Sequence, residues 1–261
     1  MLDVSGLNVS YGEVTVVENL TVSLEPGTLT ALVGPNGTGK SSLLKAVAGL
    51  IPTGGSVRLN GGDALDIQDR MNDIAYMPQD VGLASSLTVF EVMLLGRLRS
   101  LSLRVSRQLH HDVDAALKRF GLVNLVNRTL SEISGGQRQM VYLAQSLFRD
   151  PSVLFLDEPT AALDLRHQLV VLDHVRHHCK THNTIGVSAM HDLSLAARYC
   201  ERMIFLSDGA VVADGAPADI LKAQLLRDVY GVEVEIVAAP NGTLHVTPIE
   251  AISTAANTQY Q

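Results

Sequence analysis

The chain has 261 residues, 46% hydrophobic and 18% charged, which describes a globular protein with ample core rather than a disordered or fibrous one. Aromatic residues make up 4% and Trp is absent, so aliphatic packing must dominate. A formal net charge of −7 argues against a nucleic-acid partner, which wants a basic face.

Residues 2–33 read as short β segments punctuated by Gly6, Gly12, Pro26 and Gly27. Leu29-Thr30-Ala31-Leu32-Val33 is an apolar run of the kind buried in parallel sheets. It feeds Gly34-Pro35-Asn36-Gly37-Thr38-Gly39-Lys40-Ser41, and a helical pattern follows from Ser41 to Ala48. Residues 54–63 read as turn-rich, and Ile74–Met77 as a strand before Pro78-Gln79. From about Val81 to Ser134 the pattern is helical: Val113, Ala116, Leu117 and Phe120 share one face and Gly121 closes the helix. Met140, Leu143, Ala144 and Leu147 repeat that spacing, which predicts a helix starting just after Gly136. Residues 153–156, 184–189 and 202–206 read as further strands of one sheet, with helices between. Beyond Gly231, two short β pieces flank an Asn241-Gly242 turn, and the tail from Ala251 to Gln261 is small and polar enough to be flexible.

The charge-free runs 26–39 and 236–249 are shorter than the ~18 apolar residues a membrane-spanning helix needs. The first residues show no basic or apolar leader pattern. Any membrane role is therefore expected to be peripheral. Cys179 and Cys200 lack metal or redox spacing, which points to a reducing compartment.

Three motifs carry chemistry. Residues 34–41 match G-x-x-x-x-G-K-[ST], with strand before and helix after. Backbone amides freed by the glycines converge on phosphate oxygens; Lys40 reaches the β/γ oxygens and Ser41 offers a magnesium ligand. The competing reading is a glycine-rich turn. Val153–Leu156 is an apolar strand ending in Asp157-Glu158, which suits a carboxylate in the magnesium shell followed by one that activates water. Alternatively, these acids simply open a surface loop at Pro159. Ser134-Gly135-Gly136-Gln137 offers a hydroxyl and backbone amides ahead of a helix, an anion site as well as a plain N-cap.

Together with Gln79, Leu163-Asp164 and His191 in this order, the set resembles the ATP-binding cassette (ABC) family over roughly residues 1–237. The resemblance implies an α/β P-loop NTPase core with a mixed, largely parallel sheet, an N-terminal antiparallel β subdomain and an inserted helical subdomain. On that basis residues 1–231 form the ATPase domain, with the insert at about 82–136, and 232–261 a short β-like extension. It implies ATP and Mg²⁺ as ligands, with Gly34 through Ser42 around the phosphates and Ser41, Gln79 and Asp157 near the metal. Glu158 would be the base, with His191 and Gln79 aligning the water. Tyr11 would stack on adenine. Ser134, Gly135, Gly136, Gln137 and Asp164 would meet the nucleotide of a second copy across a homodimer seam. Ile133 stands where the family usually has Leu, and Ala161 where it often has Ser, which removes one hydroxyl near that seam.

The ABC family also acts outside transport, in soluble proteins and nucleotide-gated scaffolds. Only about 55 residues separate Gln79 from Ser134, too few for the coiled coil of DNA-acting relatives, and there is one cassette rather than the two of ribosome-acting ones. Ser86–Arg97 looks like the segment with which importer ATPases grip membrane permeases, although an amphipathic core helix also fits. Residues 162–168, 191–199 and 229–234 are similar to the branch serving ferric-siderophore, haem and cobalamin uptake, and zinc, manganese and phosphonate importers share much of this. The resemblance thus implies permease subunits as partners, a periplasmic or surface substrate-binding protein indirectly, and a place on the cytoplasmic side of the membrane. His174, His178 and His182 fall at i, i+4, i+8 beside His177; without an H-E-x-x-H pattern, a solvated face is expected rather than a metal site.

Overall fold

The computed structural model describes residues 1–79, 86–97 and 105–252. Its centre is a six-stranded sheet made of β3 (Leu29–Val33), β5 (Ile74–Met77), β6 (Val153–Asp157), β7 (Ile185–Ala189), β8 (Arg202–Ser207) and β9 (Ala210–Gly215). The order is β5-β6-β7-β3-β8-β9, parallel except for the final β8–β9 pair. Every residue of β3, β6 and β7 is buried, as their unbroken apolar runs predict.

Side-chain alternation along these strands divides the interior into two cores. Leu154 and Leu156 face the helical side, whereas Val153 and Phe155 face the N-terminal side. On the N-terminal side lies an antiparallel sheet of β2 (Val14–Leu24), β1 (Leu2–Tyr11) and β4 (Gly54–Leu59), together with α1 (Lys40–Val47), to which α2 (Ile67–Asp73) is tied by Arg70 donating to the Ala46 carbonyl. Gly6 does not interrupt β1; the strand runs through it with shifts of register. Residues 54–59 form an edge strand rather than turns, because Val57 is fully buried and the segment pairs with Leu2–Asn8.

On the other side, α3 (Val89–Leu95), α4 (Arg107–Arg119) and α5 (Gly135–Phe148) pack together through Val92, Met93, Val113, Leu117, Met140 and Leu143. A fully buried side chain of this size contributes about 1.5–3 kcal/mol relative to exposure. Helix α5 starts at Gly135, two residues earlier than its apolar spacing suggests, because Ser134 caps it. α6 (Leu165–His182) and α7 (Leu193–Tyr199) complete this layer. The expected helical insert spans 82–136, of which residues 82–85 and 98–104 lie outside the described residues.

After α8 (Pro217–Ile220) and α9 (Ala223–Tyr230), Gly231 turns the chain with φ 66° into the hairpin of β10 (Val232–Ala238) and β11 (Leu244–Ala251). The hairpin is not a detached appendage. Val234 joins the helical-side core, and Ser194 Oγ accepts a bond from the Val246 amide at 3.0 Å. The expected flexible tail falls, from residue 253 onward, outside the described residues.

The solvated histidine face is not what the structure shows. His178 is buried and His174 half-buried against Phe120, with ring centroids 4.6 Å apart; only His177 and His182 are exposed. The cause is packing: the end of α4 closes over α6 where the sequence spacing suggests open solvent. Both cysteines are buried, and burial pushes the Cys179 thiol up to about 12, so it is no reactive thiolate at neutral pH.

Candidate nucleotide site

The carboxyl ends of β3, β6 and β7 deliver three loops to one edge of the sheet, where ligands of open α/β sheets bind. A cleft of about 490 Å³ opens there, lined by Val16, Asn36, Gly37, Gly39, Lys40, Ser41, Ser42, Gln79, Glu158 and His191. Pro35 and Thr38 close the loop on itself, with Thr38 Oγ1 donating to the Pro35 carbonyl at 2.9 Å.

Two glycines make this loop possible. Gly34 has φ 153°, and a Cβ there would lie 2.1 Å from the Leu206 carbonyl oxygen. Gly39 is the N-cap of α1 at φ 94°, and a Cβ would press on Val16 at 2.9 Å. No side chain caps α1, so its first amides stay available to an anion. Lys40 is buried and donates from Nζ to the Gly34 and Pro35 carbonyls, both at 2.8 Å. Burial lowers its pKa, while Glu158 and Asp157 push the other way.

Asp157 is 2% exposed, and its two oxygens accept from Ser41 Oγ and from Tyr76 Oη, each at 2.9 Å. Burial, reinforced by Asp157, pushes the Tyr76 phenol far upward, so it stays a donor. Ser41 and Asp157 thus present adjoining oxygens, a donor pair suited to a hard divalent cation.

Glu158 stands in the left-handed region, with φ 52°. Such a backbone costs on the order of 1–3 kcal/mol and persists only when the surroundings over-determine it. Here its amide donates to Ala189 O at 3.2 Å, and its carbonyl accepts from Gln139 Nε2 at 3.1 Å. The twist aims the carboxylate into the cleft. There Oε2 accepts from Gln79 Nε2 at 2.7 Å, and Oε1 meets His191 Nε2 at 2.5 Å. Gln79, Glu158 and His191, far apart in sequence, therefore form one constellation, next to the Ser41–Asp157 pair.

The other candidate residues stand apart from it. Tyr11 is exposed beside the phosphate loop, its hydroxyl 3.3 Å from Ser42 Oγ. Ser134, Gly135, Gly136 and Gln137 do not line the cleft. Ser134 Oγ accepts from the Gln137 amide at 3.2 Å, and Gln137 Oε1 accepts from the Ser134 amide at 2.9 Å. Arg138 fixes the approach to this turn by donating to the Ile133 carbonyl at 2.8 Å. Asp164 is the exposed N-cap of α6, bonded to the His167 amide and ring.

Tyr76, Gln139 and Arg138 escape a reading by sequence. Tyr76 could have been found, since a tyrosine near the end of a strand beside the Asp157 strand has its hydroxyl at the sheet edge. Gln139 and Arg138 carry no such signal, because each acts through a backbone carbonyl that only the fold brings near.

The family model described as ABC transporter matches residues 17–161. The chain is 38% identical to the cobalamin import ATP-binding protein BtuD of Halobacterium salinarum, over 98% of this chain and 66% of that protein. It therefore spans just under two thirds of that relative's length. With the achromobactin transport ATP-binding protein CbrD of Dickeya dadantii it shares 37% identity, over 90% of this chain and 89% of that one. A solved ATP binding subunit of an ABC transporter superposes with a TM-score of 0.75 at 27% identity, covering 87% of this chain and 94% of that one. Fold, clustered cleft residues and likeness over most of this chain agree: the chain belongs to the ABC transporter family of ATP-binding proteins.

Proposed function

We propose that this chain is the ATP-hydrolysing subunit of a membrane importer and works as a symmetric pair. Each ATP would be held between the phosphate loop of one copy and the Ser134 loop of the other. One observation carries this reading: the cleft that gathers Lys40, Ser41, Gln79, Glu158 and His191 is lined by none of residues 134–137. Leu165, next to Asp164, is 80% exposed, which suits a seam that a second copy covers.

The chemistry follows from the placements. Lys40 exchanges its two carbonyl partners for β- and γ-phosphate oxygens, while the open amides at the start of α1 take the remaining charge. Ser41 and Asp157, with Gln79 alongside, are the residues that would hold Mg²⁺, which when bound neutralises charge on the phosphoryl oxygens. Glu158 takes a proton from the attacking water as its oxygen bonds to the γ-phosphorus. The bond to the bridging oxygen breaks, leaving ADP and phosphate. Gln79 and His191 hold the carboxylate's orientation during this step. Tyr11 supplies a ring for the adenine face.

Closure of the pair would pull on the helical insert. In α3, Leu95 is 42% exposed, and Leu87 just ahead of it 37%, an apolar edge for a permease. Among the described residues no helix is long and apolar enough to cross a membrane, which suits a subunit held peripherally on the cytoplasmic face by permeases. A substrate-binding protein would meet the permeases rather than this chain. Relatives named for cobalamin, hemin and iron(3+)-hydroxamate import favour a cargo of the siderophore, haem or cobalamin type.

Glu158→Gln tests the core of this. ATP should convert the variant to a stable dimer on gel filtration, and turnover should fall ~10²–10⁴-fold, the usual worth of a general base. Near-normal hydrolysis would remove Glu158 from that role, and a variant that stays monomeric with ATP would defeat the paired site. Purification from native membranes with integral subunits supports the importer; a soluble partner instead points to an ABC protein outside transport.

A further inference from the structure

A second cleft, about 690 Å³, lies between α4, α5 and α6, at the opposite edge of the sheet from the nucleotide loops. Its floor carries Asp150, His178 and His182, each with one ligand-type atom within 4.8 Å of the others. We propose that these three side chains form a binding site for a divalent transition metal of the zinc class. The inference is independent of the reading given for the nucleotide site.

His178 is the strongest sign. It is 7% exposed, and its Nε2 is buried with no hydrogen-bond partner. A buried ring nitrogen is seldom left without a partner, and a metal lone-pair acceptor satisfies it as well as a donor does. His182 follows one helical turn later and stacks on it, with ring centroids 4.2 Å apart and planes 13° from parallel. His182 Nδ1 lies 2.9 Å from Thr181 Oγ1 and 3.3 Å from the His178 carbonyl; with the Thr181 hydroxyl donating to the His177 carbonyl at 2.9 Å, both groups accept from a protonated Nδ1, an arrangement that leaves Nε2 its lone pair. That backbone tether is the usual device for presenting a metal-binding imidazole.

Asp150 supplies the carboxylate. It follows α5 and turns the chain at φ 53°, a conformation that Asp tolerates. Two imidazoles and one carboxylate form a set that Zn²⁺, Co²⁺ and Ni²⁺ favour over Mg²⁺ or Ca²⁺, which prefer oxygen alone. Zinc–nitrogen bonds of about 2.1 Å in a tetrahedral shell place ligand atoms about 3.4 Å apart. The site must therefore contract. Asp150 and His182 are exposed and can rotate toward His178, and water from the cleft can take the fourth position. Metal bound here would tie the end of α5, the helix that Ser134 caps, to α6, which Asp164 caps.

The test uses the full chain without a polyhistidine tag, stripped with chelator and dialysed against Zn²⁺, or against Co²⁺ for its visible absorption. One metal per chain is expected, with the intense bands of four-coordinate cobalt. His182→Gln and Asp150→Asn, both exposed positions, should weaken binding at least about tenfold, whereas His174→Gln should not. Zinc at about a hundredfold excess over its dissociation constant should raise the melting temperature of the unsubstituted chain by about 5–10 °C, and that of His182→Gln hardly at all. Absence of stoichiometric binding, or binding that survives both ligand substitutions, would overturn the site.

Discussion

The two glycine-bearing turns of this molecule both open helices, yet they are built on opposite terms. In the phosphate loop the glycines are demanded from within: a Cβ on Gly34 would strike the Leu206 carbonyl and one on Gly39 would strike Val16. The helix behind it has no side-chain cap, so its amides are left for a ligand. At Ser134 the demand is divided: a Cβ on Gly136 would lie 3.2 Å from Leu163 Cδ2 and 3.4 Å from the Ala162 carbonyl, but Gly135 is under no such constraint. A reciprocal capping box satisfies two of the amides internally, and a Cβ on Gly135 would meet nothing closer than the far end of Arg138, at 3.8 Å. The chain's own backbone gives no reason for glycine at 135. A surface kept bare without internal need is one that something outside must approach. On the proposed reading the first loop is a self-sufficient anion cradle, and the second is half of a site.

The largest effect expected from this contrast is at Gly34. Gly34→Ala should abolish ATP binding and lower stability by about 3–5 kcal/mol, since both φ and the Leu206 contact forbid the methyl. Fluorescent-nucleotide binding and urea unfolding would show it; a variant that still binds ATP normally would mean the loop is less constrained than its geometry states. Next comes Ser134→Arg. Nucleotide affinity of the isolated chain should stay within about threefold, since this residue does not line the cleft, while turnover is lost. Full-rate hydrolysis in that variant would make the single chain a complete enzyme.

Gly135→Ala separates the loops most sharply. Replacing a helical glycine by alanine is worth up to about 1 kcal/mol of added stability where space allows. Melting temperature should hold or rise while turnover falls about tenfold or more, a pairing of gain and loss that no internal packing role produces. Parallel losses of both would place the demand for glycine inside the chain.

How much of this could be read from the sequence depends on whether a residue acts locally. The phosphate loop, the Asp157-Glu158 strand end and the parallel core strands are legible because each is written in contiguous residues. β6 and β7 begin and end within a residue or two of their apolar runs. The edge strand at residues 54–59 is not, because its order comes from pairing with β1, and its own glycines spell turns. The histidine face fails for the same reason: His174 and His178 look solvated until the end of α4 packs Phe120 against His174, while His182 stays exposed. Glu158 is half legible. Its position is plain, but its left-handed backbone is held by Gln139 and Ala189 from elsewhere in the chain.

The smallest effect is expected behind the phosphate loop, where the C-terminal segment supplies a support that the Ser134 turn lacks. Tyr230, the last residue of α9, places its hydroxyl beside the Gly34 backbone, buried and without a partner of proper hydrogen-bond geometry. Burial raises this phenol to about 12, so it is neutral throughout the physiological range. A phenol raised in the folded state leaves stability intact below its unfolded value near 10 and erodes it as pH climbs toward 12. Tyr230→Phe removes that penalty along with an unsatisfied hydroxyl. At pH 7 its stability should match the parent within about 1 kcal/mol, whereas near pH 11 it should exceed the parent by about 1 kcal/mol. Urea unfolding at the two pH values isolates the residue from Tyr76, Tyr142 and Tyr199, whose raised phenols are common to both proteins. Nucleotide affinity is the sharper readout. If the hydroxyl only fills space, phenylalanine leaves ATP binding unchanged; a loss of tenfold would mean that the phosphate loop is held in shape from α9 as well as by its own glycines.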